Sequence, residues 1–186
     1  MQFTFRGTTF TVLKGDLTEQ QVTAIVNPAS PSLDGSRGLD SFIHRKAGEV
    51  LQAACLQLRS KQDTYAPGTA LLTPAGDLPA EWVIHTVCPR WQDGTRGELI
   101  DLERCYTNSL ARAVDLGAKT IAIPSLGTGV NGFALDRAAY VAFNAINRFL
   151  VSHPDTFTDI RFVFFDEEDY KTAGAIADDV MKTMVG

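Results

Sequence analysis

Short apolar runs alternate along this chain with longer segments in which apolar residues recur at helical spacing. The apolar runs are residues 23–27, 70–73, 82–87, 120–123 and 160–165. The helical segments are residues 39–58, 99–114, 135–150 and 170–184. Strands that are apolar throughout are buried on both faces, and their alternation with helices is typical of a mainly parallel sheet between two helical layers.

The first thirteen residues break this alternation. Residues 3–6 and 9–13 alternate in polarity around Gly7, which predicts a short antiparallel pair. The sequence therefore predicts an α/β fold, a three-layer α/β/α sandwich whose central sheet is mixed and mostly parallel.

Length and composition indicate one domain spanning residues 1–186. Hydrophobic residues make up 45% of the chain and charged residues 21%, and no linker or repeat divides it. No apolar run approaches the ~18 residues of a membrane span, and the N-terminus does not resemble a signal peptide. We therefore expect no membrane contact and a cytoplasmic location.

The charge balance argues against a nucleic-acid partner. The net charge is −5 and the isoelectric point is about 5.1, so the chain lacks the basic surface that attracts a phosphate polymer. If the protein binds phosphate, we expect local backbone donors to do so.

Neither a metal nor a cofactor is predicted. The cysteines, Cys55, Cys88 and Cys105, are odd in number and widely spaced, which favours neither disulfides nor a CxxC site. No histidine lies at a metal-ligand spacing from another histidine or a cysteine, so His44 and His85 are predicted to be structural.

In open α/β sheets, ligands bind at the carboxyl ends of the strands. Residues 27–40 run from a buried strand through turn-forming residues into a helix, where successive backbone N–H groups can cradle a phosphate. Asp40 falls in the first turn of that helix. It is predicted either to complement the helix dipole or to act in the site.

A second loop, residues 124–133, contains the pattern GxGxxG at 127–132. The pattern occurs late in the chain, the helical spacing starts after it, and no acidic residue ends a strand ~20 residues later, as a dinucleotide fold requires. The sequence therefore predicts a glycine-rich phosphate loop, and does not support a Rossmann fold.

Two further positions suit a purine. Asp16 is predicted either to accept from an exocyclic amine or to cap the turn that contains Thr18. Phe165 and Asp166, at the end of the last strand, are predicted to offer an aromatic face and a carboxylate, with a core position as the alternative for Phe165.

Taken in order, these segments resemble the macrodomain family. Gly-Asp-Leu-Thr at 15–18 is similar to the family's Gly-Asp-Ile-Thr, and Ile-Val-Asn-Pro-Ala-Ser at 25–30 to its Ile-Val-Asn-Ala-Ala-Asn. Leu-Asp-Ser-Phe-Ile-His at 39–44 follows a glycine-containing run, as in the family. The other similar segments are 47–48, 68–70, 76–79, 84–87, 124–132 and 165–168.

The resemblance implies an ADP-ribose site. Asp16 would recognise the adenine amine, Phe165 would pack on the adenine ring, and the loops 35–39 and 127–133 would surround the pyrophosphate and distal ribose. Asp40 and Ser30 are the implied catalytic residues. The implied ligand-binding residues are Asp16, Leu17, Asn27, Gly35, Ser36, Arg37, Gly38, Leu39, Ser125, Gly127, Thr128, Gly129, Val130, Asn131, Gly132, Phe133 and Phe165.

Several residues depart from the family pattern. Ser30 replaces an asparagine and offers a hydroxyl in place of an amide. Ser36 and Arg37 replace glycines, which would cost ~1–2 kcal/mol at any position that needs a positive φ. Gly127 replaces a serine, and Asn131 replaces a frequent aromatic residue.

Three functions follow as expectations. The first is hydrolysis of ADP-ribosyl esters, in which the substrate is a protein modified on Asp or Glu, or O-acetyl-ADP-ribose, and Asp40 activates a water. The second is non-catalytic recognition of ADP-ribose, which the substitutions at Ser30, Ser36 and Arg37 favour. The third is another nucleotide-binding enzyme, such as an NAD-dependent oxidoreductase, motivated only by the second glycine loop.

Overall fold

The computed structural model describes residues 1–183, and its strands form a single seven-stranded sheet. The strands are β1 (Gln2–Phe5), β2 (Thr8–Lys14), β3 (Val22–Ala29), β4 (Ala70–Pro74), β5 (Ala80–Val87), β6 (Thr120–Pro124) and β7 (Asp159–Phe164). Their order in the sheet is β1-β2-β7-β6-β3-β5-β4. The five central strands are parallel, and the edge strands β1 and β4 are antiparallel to their neighbours.

Helices cover both faces of this sheet. They are α1 (Gly38–Ala47), α2 (Glu49–Lys61), α3 (Glu98–Asp115), α4 (Leu135–Ser152) and α5 (Glu167–Lys182), with a 3-10 turn at Leu17–Glu19. Helices α1 and α2 pack on one face, and α3, α4 and α5 pack on the other. This arrangement confirms the predicted α/β/α sandwich with a mixed, mostly parallel sheet. Met184, which the sequence places in the last helix, lies outside the described residues.

The sheet separates two hydrophobic cores. On β3, Ile25 belongs to the core under α1 and α2, whereas Val26 belongs to the core under α3, α4 and α5, and both are fully buried. Successive side chains of a strand point to opposite faces, so a strand buried on both faces is apolar at most of its positions. This explains the apolar runs of the sequence, and the polar residues within them, such as Asn27 and His85, are buried and hydrogen-bonded.

The prediction of one helix over residues 39–58 was wrong. The helix is interrupted at Gly48, which has φ +80° and separates α1 from α2. The Asp77 N–H donates to the Ala47 carbonyl at 2.9 Å, and a Cβ on Gly48 would lie 2.9 Å from Asp77 Oδ2. Glycine is therefore required at the break, since it adopts a positive φ and admits the close approach of the neighbouring turn.

The antiparallel pairing at the other edge of the sheet, between β4 and β5, was not predicted from the sequence. Residues 70–73 and 82–87 were predicted as strands, and the structure pairs them as the antiparallel β4 and β5. The N-terminal hairpin and the role of Gly117 at the end of α3 are confirmed: Gly117 has φ +69° and donates to the Val114 carbonyl at 2.9 Å. Among residues 1–183 no helix is long and apolar enough to cross a membrane.

Candidate functional site

Two cavities lie at the carboxyl ends of the central strands. The first, the Phe165 cavity, has a volume of about 390 Å³ and is lined by Gly15, Asp16, Leu17, Gly38, Leu39, Phe42, Pro124, Val163 and Phe165. The second, the Asp40 cavity, has a volume of about 460 Å³. Its lining includes Pro28, Ser30, Asp34, Ser36, Arg37, Asp40, Cys88, Arg90, Val130 and Asn131.

The two predicted loops meet between these cavities. Gly38 lines the Phe165 cavity and Val130 lines the Asp40 cavity, and a Cβ on Gly38 would lie only 4.0 Å from Val130 Cγ1. A ligand that occupied both cavities would therefore pass between the two loops at this point.

The Phe165 cavity has a flat aromatic wall. Phe165 follows the last residue of β7, and its side chain is 83% exposed, so the alternative of a core position was wrong. The next residue, Asp166, caps α5: its Oδ1 accepts from the backbone N–H groups of Glu168 and Asp169 at 2.8 and 3.1 Å. The aromatic ring, and not the neighbouring carboxylate, is the feature that faces the cavity.

Asp16 has the capping role that the sequence allowed. Its Oδ1 accepts from Thr18 N at 2.8 Å and from Thr18 Oγ1 at 2.6 Å, and so begins the turn Leu17–Glu19. Within residues 1–183 no donor contacts Oδ2, and Asp16 lines the cavity. The second carboxylate oxygen thus remains available to an amine in the cavity.

Asp40 is a buried carboxylate at the wall of the other cavity. It is only 3% exposed, and it lies in the first turn of α1, where a negative charge is favourable. Its Oδ1 accepts from Asn27 Nδ2 at 2.7 Å and lies 3.3 Å from His44 Nε2. Its Oδ2 accepts a longer bond from Ser30 N at 3.4 Å. Asp40 therefore has one well-held oxygen and one that is less constrained.

A buried chain of hydrogen bonds holds the Asn27 amide. Asn27 Nδ2 lies 3.0 Å from His85 Nδ1, and His85 Nε2 lies 2.8 Å from Thr73 Oγ1. Burial, with a smaller contribution from His44, lowers the pKa of His85 to about 3, so the ring is neutral. Since Asn27 donates to Nδ1, the ring proton sits on Nε2 and is donated to Thr73.

Asp34 organises the loop that precedes α1, a role that was not predicted from the sequence. Its Oδ1 accepts from Ser30 Oγ at 2.8 Å, from Ser36 Oγ at 2.8 Å and from Ser36 N at 3.2 Å. Partial burial raises the pKa of Asp34, but the hydrogen bonds from Ser36, Ser30 and Ser32 outweigh it and lower the pKa to about 2. Asp-Gly-Ser at 34–36 is an Asx-turn signal that was available in the sequence.

This contact changes the role open to Ser30. The Ser30 hydroxyl donates to Asp34 Oδ1, so its proton is already engaged within the wall of the Asp40 cavity, which both residues line. The backbone N–H of Ser30, in contrast, faces Asp40.

Ser36 and Arg37 carry no left-handed strain. Arg37 has φ −139°, and the positive φ values in this segment belong to Leu33, Gly35 and Gly38, at +53°, +63° and +50°. The loop therefore keeps glycine at two of its left-handed positions. The Arg37 side chain lines the Asp40 cavity and adds a positive charge there.

The start of α1 supplies backbone donors. The first helical N–H with an acceptor is that of Ser41, which donates to Arg37 O at 3.1 Å. The N–H groups of Gly38, Leu39 and Asp40 precede it and have no acceptor in the described part of the chain. Unpaired N–H groups at a helix N-terminus form a favourable site for an anion.

The second loop supplies more donors. It is closed by bonds from Phe133 N to Gly127 O at 3.0 Å and from Gly132 N to Gly129 O at 3.2 Å. Thr128 Oγ1 is bonded to Ser125 Oγ at 3.0 Å. No acceptor among residues 1–183 contacts the N–H groups of residues 128–131, so they are available to a ligand. Helix α4 begins at Leu135, after the loop, as the sequence predicted.

Phe133 differs from the other predicted ligand residues of this loop. Its side chain is buried in the main core and packs against Trp91, with ring centroids 5.3 Å apart. Trp91 N also donates to Asn131 O at 2.8 Å. Any contact of Phe133 with a ligand is therefore limited to its backbone, and its side chain anchors the loop to the hydrophobic core.

A buried carboxylate holds the segment that carries Trp91. Glu98 accepts from the backbone N–H groups of Gln92, Asp93, Gly94 and Arg96 at 2.8 to 3.2 Å. Backbone hydrogen bonds lower the pKa of Glu98 to about 2, against the opposing effect of burial. This support was not predicted from the sequence, because the hydrogen bonds link residues that carry no recognised motif.

The fold also brings together three residues that were not predicted to be neighbours. One ligand atom from each of His44, Cys55 and His85 lies within 4.8 Å of the others, and all three residues are buried. Burial, with the nearby Asp40 carboxylate, raises the pKa of Cys55 to about 12. Spacing did not indicate this cluster, because it joins α1, α2 and β5.

Comparison with known proteins places these features in a family. The profile of the Macro domain family matches residues 26–142. An O-acetyl-ADP-ribose deacetylase from Enterobacter cloacae is 46% identical over 157 residues, which cover 84% of this chain and 87% of the relative. A Macro domain-containing protein from Listeria monocytogenes is 43% identical over 87% of this chain and 92% of its own length.

Two solved structures have the same fold. The Oceanobacillus iheyensis macrodomain with ADP superposes with a TM-score of 0.90 at 31% identity, covering 100% of this chain and 96% of the other. The Trypanosoma brucei macrodomain in complex with ADP-ribose superposes with a TM-score of 0.80 at 31% identity, covering 89% and 68%. Together with the sandwich fold and the two loops at its strand ends, these matches show that the chain belongs to the Macro domain family.

Proposed function

We propose that this protein binds ADP-ribose across the two cavities and hydrolyses esters of its distal ribose. The adenine occupies the Phe165 cavity, where the ring of Phe165 stacks on it and Asp16 Oδ2 accepts from its amine. The cavity is lined mainly by apolar side chains, which suits a purine. The distal ribose occupies the Asp40 cavity.

The pyrophosphate lies between the two loops. Backbone N–H groups at the start of α1 and in residues 128–131 bind its oxygens, and Arg37 adds a charged contact from the rim. This mode of binding needs no basic surface and is compatible with a net charge of −5.

The observation that carries the hydrolytic assignment is the buried Asp40 carboxylate in the wall of the cavity. Asn27 holds Oδ1, so Oδ2 is the oxygen that accepts a proton from a water in the cavity. That water attacks the ester carbonyl, the bond between the acyl carbon and the ribose oxygen breaks, and the ribose hydroxyl leaves with a proton. The products are a carboxylic acid and ADP-ribose.

The relatives favour a specific ester. O-acetyl-ADP-ribose deacetylases from Enterobacter cloacae and Cronobacter sakazakii are 46% and 42% identical to this chain. We infer that O-acetyl-ADP-ribose is a substrate, with proteins modified on Asp or Glu as a second class that presents the same kind of ester. We also infer a cytoplasmic location, because Cys55, Cys88 and Cys105 are all free thiols, as in a reducing compartment.

Steady-state hydrolysis of O-acetyl-ADP-ribose tests the assignment. Loss of a general base typically costs 10²–10⁴-fold in rate, so Asp40→Ala should lower kcat by at least about 100-fold. Calorimetric titration with ADP-ribose, with circular dichroism as the check on folding, should give a Kd within about tenfold of the wild-type value. Unchanged turnover in Asp40→Ala would remove Asp40 from the mechanism.

One observation favours a second function, the recognition of ADP-ribose without turnover. Ser30 stands where the family pattern has an asparagine, and the proton of its hydroxyl is donated to Asp34 and so is not free for a ligand. If the protein is a reader only, ADP-ribose binds, but neither O-acetyl-ADP-ribose nor a Glu-modified protein is hydrolysed by the wild type.

A further inference from the structure

The cluster of His44, Cys55 and His85 has the donor types and spacing of a transition-metal site. Cys55 Sγ lies 3.8 Å from His85 Nε2. A tetrahedral zinc ion with bonds of about 2.3 Å to sulfur and about 2.1 Å to nitrogen separates those two ligand atoms by about 3.6 Å. The existing pair therefore needs to move by only a few tenths of an ångström to hold such an ion, and the ion takes the place of the 2.8 Å hydrogen bond between His85 Nε2 and Thr73 Oγ1.

The third donor is a buried nitrogen without a hydrogen bond. His44 Nε2 makes no hydrogen bond within residues 1–183, and its contact with the Asp40 carboxylate is limited to Oδ1 at 3.3 Å. The His44 side chain is 9% exposed. A buried polar atom normally has a partner, so an unpaired imidazole nitrogen beside a thiol and a second imidazole points to a missing ligand.

The cluster can be reached from solvent. A cavity of about 510 Å³ between α1 and α2 is lined by both His44 and Cys55, and it shares only Asp34 with the Asp40 cavity. Its lining contains Arg45 and Arg59 but also Asp34 and Glu49, so the charges at its mouth balance. Water in this cavity can complete the coordination of an ion held by three protein ligands.

We propose that His44, Cys55 and His85 bind one Zn²⁺ ion, or a dication of similar ligand preference, with a fourth ligand from water. Thiolate and imidazole together select zinc and its neighbours over magnesium and calcium, which prefer oxygen ligands. The Cys55 thiol releases its proton to solvent as the sulfur–metal bond forms.

Occupation of this site would remove a hydrogen-bond donor from Asp40. The effect of that change on hydrolysis rests on the proposed function. A metal on His85 Nε2 moves the ring proton to Nδ1, which lies 3.0 Å from the donor Asn27 Nδ2. The Asn27 amide must then rotate to present Oδ1, an atom that has no partner in the described residues. Rotation removes the 2.7 Å bond from Asn27 to Asp40, so zinc is expected to inhibit hydrolysis.

Titration of the purified, metal-free protein with Co²⁺ tests the site by spectroscopy. The expected result is one equivalent of Co²⁺ with a sulfur-to-cobalt charge-transfer band and the intense visible bands of tetrahedral cobalt, all displaced by Zn²⁺. Cys55→Ser should lose the charge-transfer band and bind at least about 100-fold more weakly, since even outer partners of a metal site contribute 10- to 100-fold. Cys105→Ser, which changes another buried cysteine, should keep the band.

A second pair of variants keeps the proposal testable if Cys55→Ser does not fold. His44→Ala should weaken Co²⁺ binding as Cys55→Ser does, whereas His153→Ala should not. A charge-transfer band that persists in folded Cys55→Ser, or that disappears in Cys105→Ser, would overturn the assignment.

Hydrolysis provides a separate readout for the coupling. Saturating Zn²⁺ should slow the wild type and leave Cys55→Ser unaffected; equal rates with and without Zn²⁺ in the wild type would refute the coupling through Asn27. A protein that binds Co²⁺ as expected but hydrolyses no ester would contradict the proposed function and leave the metal site standing.

Discussion

Asn27 donates a 2.7 Å hydrogen bond to Asp40, and this bond joins the end of β3 to the first turn of α1. Both side chains are buried, and the second N–H of the amide is directed to His85 Nδ1. The Asp40 carboxylate is therefore positioned from inside the protein, by a residue that itself is fixed by the neighbouring strand.

Asn27→Ala is expected to lower kcat about 10- to 100-fold and to destabilise the fold by about 2 kcal/mol, because it leaves a buried carboxylate oxygen and His85 Nδ1 without their donor. Hydrolysis of O-acetyl-ADP-ribose and urea denaturation measure the two effects. Asn144→Ala is the matched control, since Asn144 is only half-buried on α4 and its amide donates only to the Tyr140 carbonyl. Equal kinetics for both variants would refute the positioning role of Asn27.

Phe165→Ala is expected to weaken ADP-ribose binding about tenfold, since aromatic stacking contributes ~0.5–1.5 kcal/mol beyond area burial. The Tm should not fall, because the ring is 83% exposed and supports no core packing. Calorimetry with ADP-ribose is the measurement. Tyr140→Ala is the control, because Tyr140 is 61% exposed on α4 and lines neither of the two cavities; a similar loss of affinity in both variants would argue against stacking.

Gly35→Ala is expected to destabilise the protein through a steric clash. A Cβ on Gly35 would lie 2.4 Å from His44 Cγ, and Gly35 has φ +63°. Gly7→Ala is the control, because Gly7 has φ +83° but no atom within 4 Å of an added Cβ. The control should lose ~1–2 kcal/mol from left-handed strain alone, and Gly35→Ala should lose ~1–3 kcal/mol more from overpacking. Equal losses in the free energy of unfolding for the two variants, measured by urea denaturation, would show that the His44 side chain moves aside at no energetic cost.

Glu98 is expected to make stability depend on pH in the acid range. Its pKa falls from an ordinary value of 4.5 to about 2 in the folded protein. A group with a depressed folded pKa contributes stability that is fully present above its unfolded pKa and is lost as pH falls through its folded pKa. The contribution of Glu98 should therefore persist above pH 4.5 and disappear as the pH falls toward 2.

Urea denaturation of the wild type and Glu98→Gln checks this window. The wild type should be the more stable at pH 6, and the difference should shrink as the pH falls below 4.5. A difference that stays constant from pH 6 to pH 3 would show that the charge of Glu98 is not what holds residues 92–96.

The fold was largely predictable because its signals are local. Apolar runs such as 120–123 define buried strands, and Gly117 marks the end of α3 as the sequence indicates. The break at Gly48 was not predictable in the same way. The helix break depends on Asp77, which approaches from a turn nearly thirty residues away in the chain. The helical spacing of apolar residues continues across the break and so does not indicate it.

The site was predictable only in part, for the same reason. Phe165 and the two glycine loops carry recognisable local patterns, whereas the partner of the Ser30 hydroxyl does not follow from the identity of Ser30 alone. The cluster of His44, Cys55 and His85 exists only once α1, α2 and β5 are packed together. Spacing along the chain carries no information on such contacts.

A crystal structure of the protein with ADP-ribose is the decisive test of the proposed binding mode. We expect the adenine on Phe165 with its amine at Asp16, the pyrophosphate between Gly38 and Val130, and the distal ribose within hydrogen-bond reach of a water held by Asp40 Oδ2. Adenine in the Asp40 cavity, or a distal ribose remote from Asp40, would refute this binding mode.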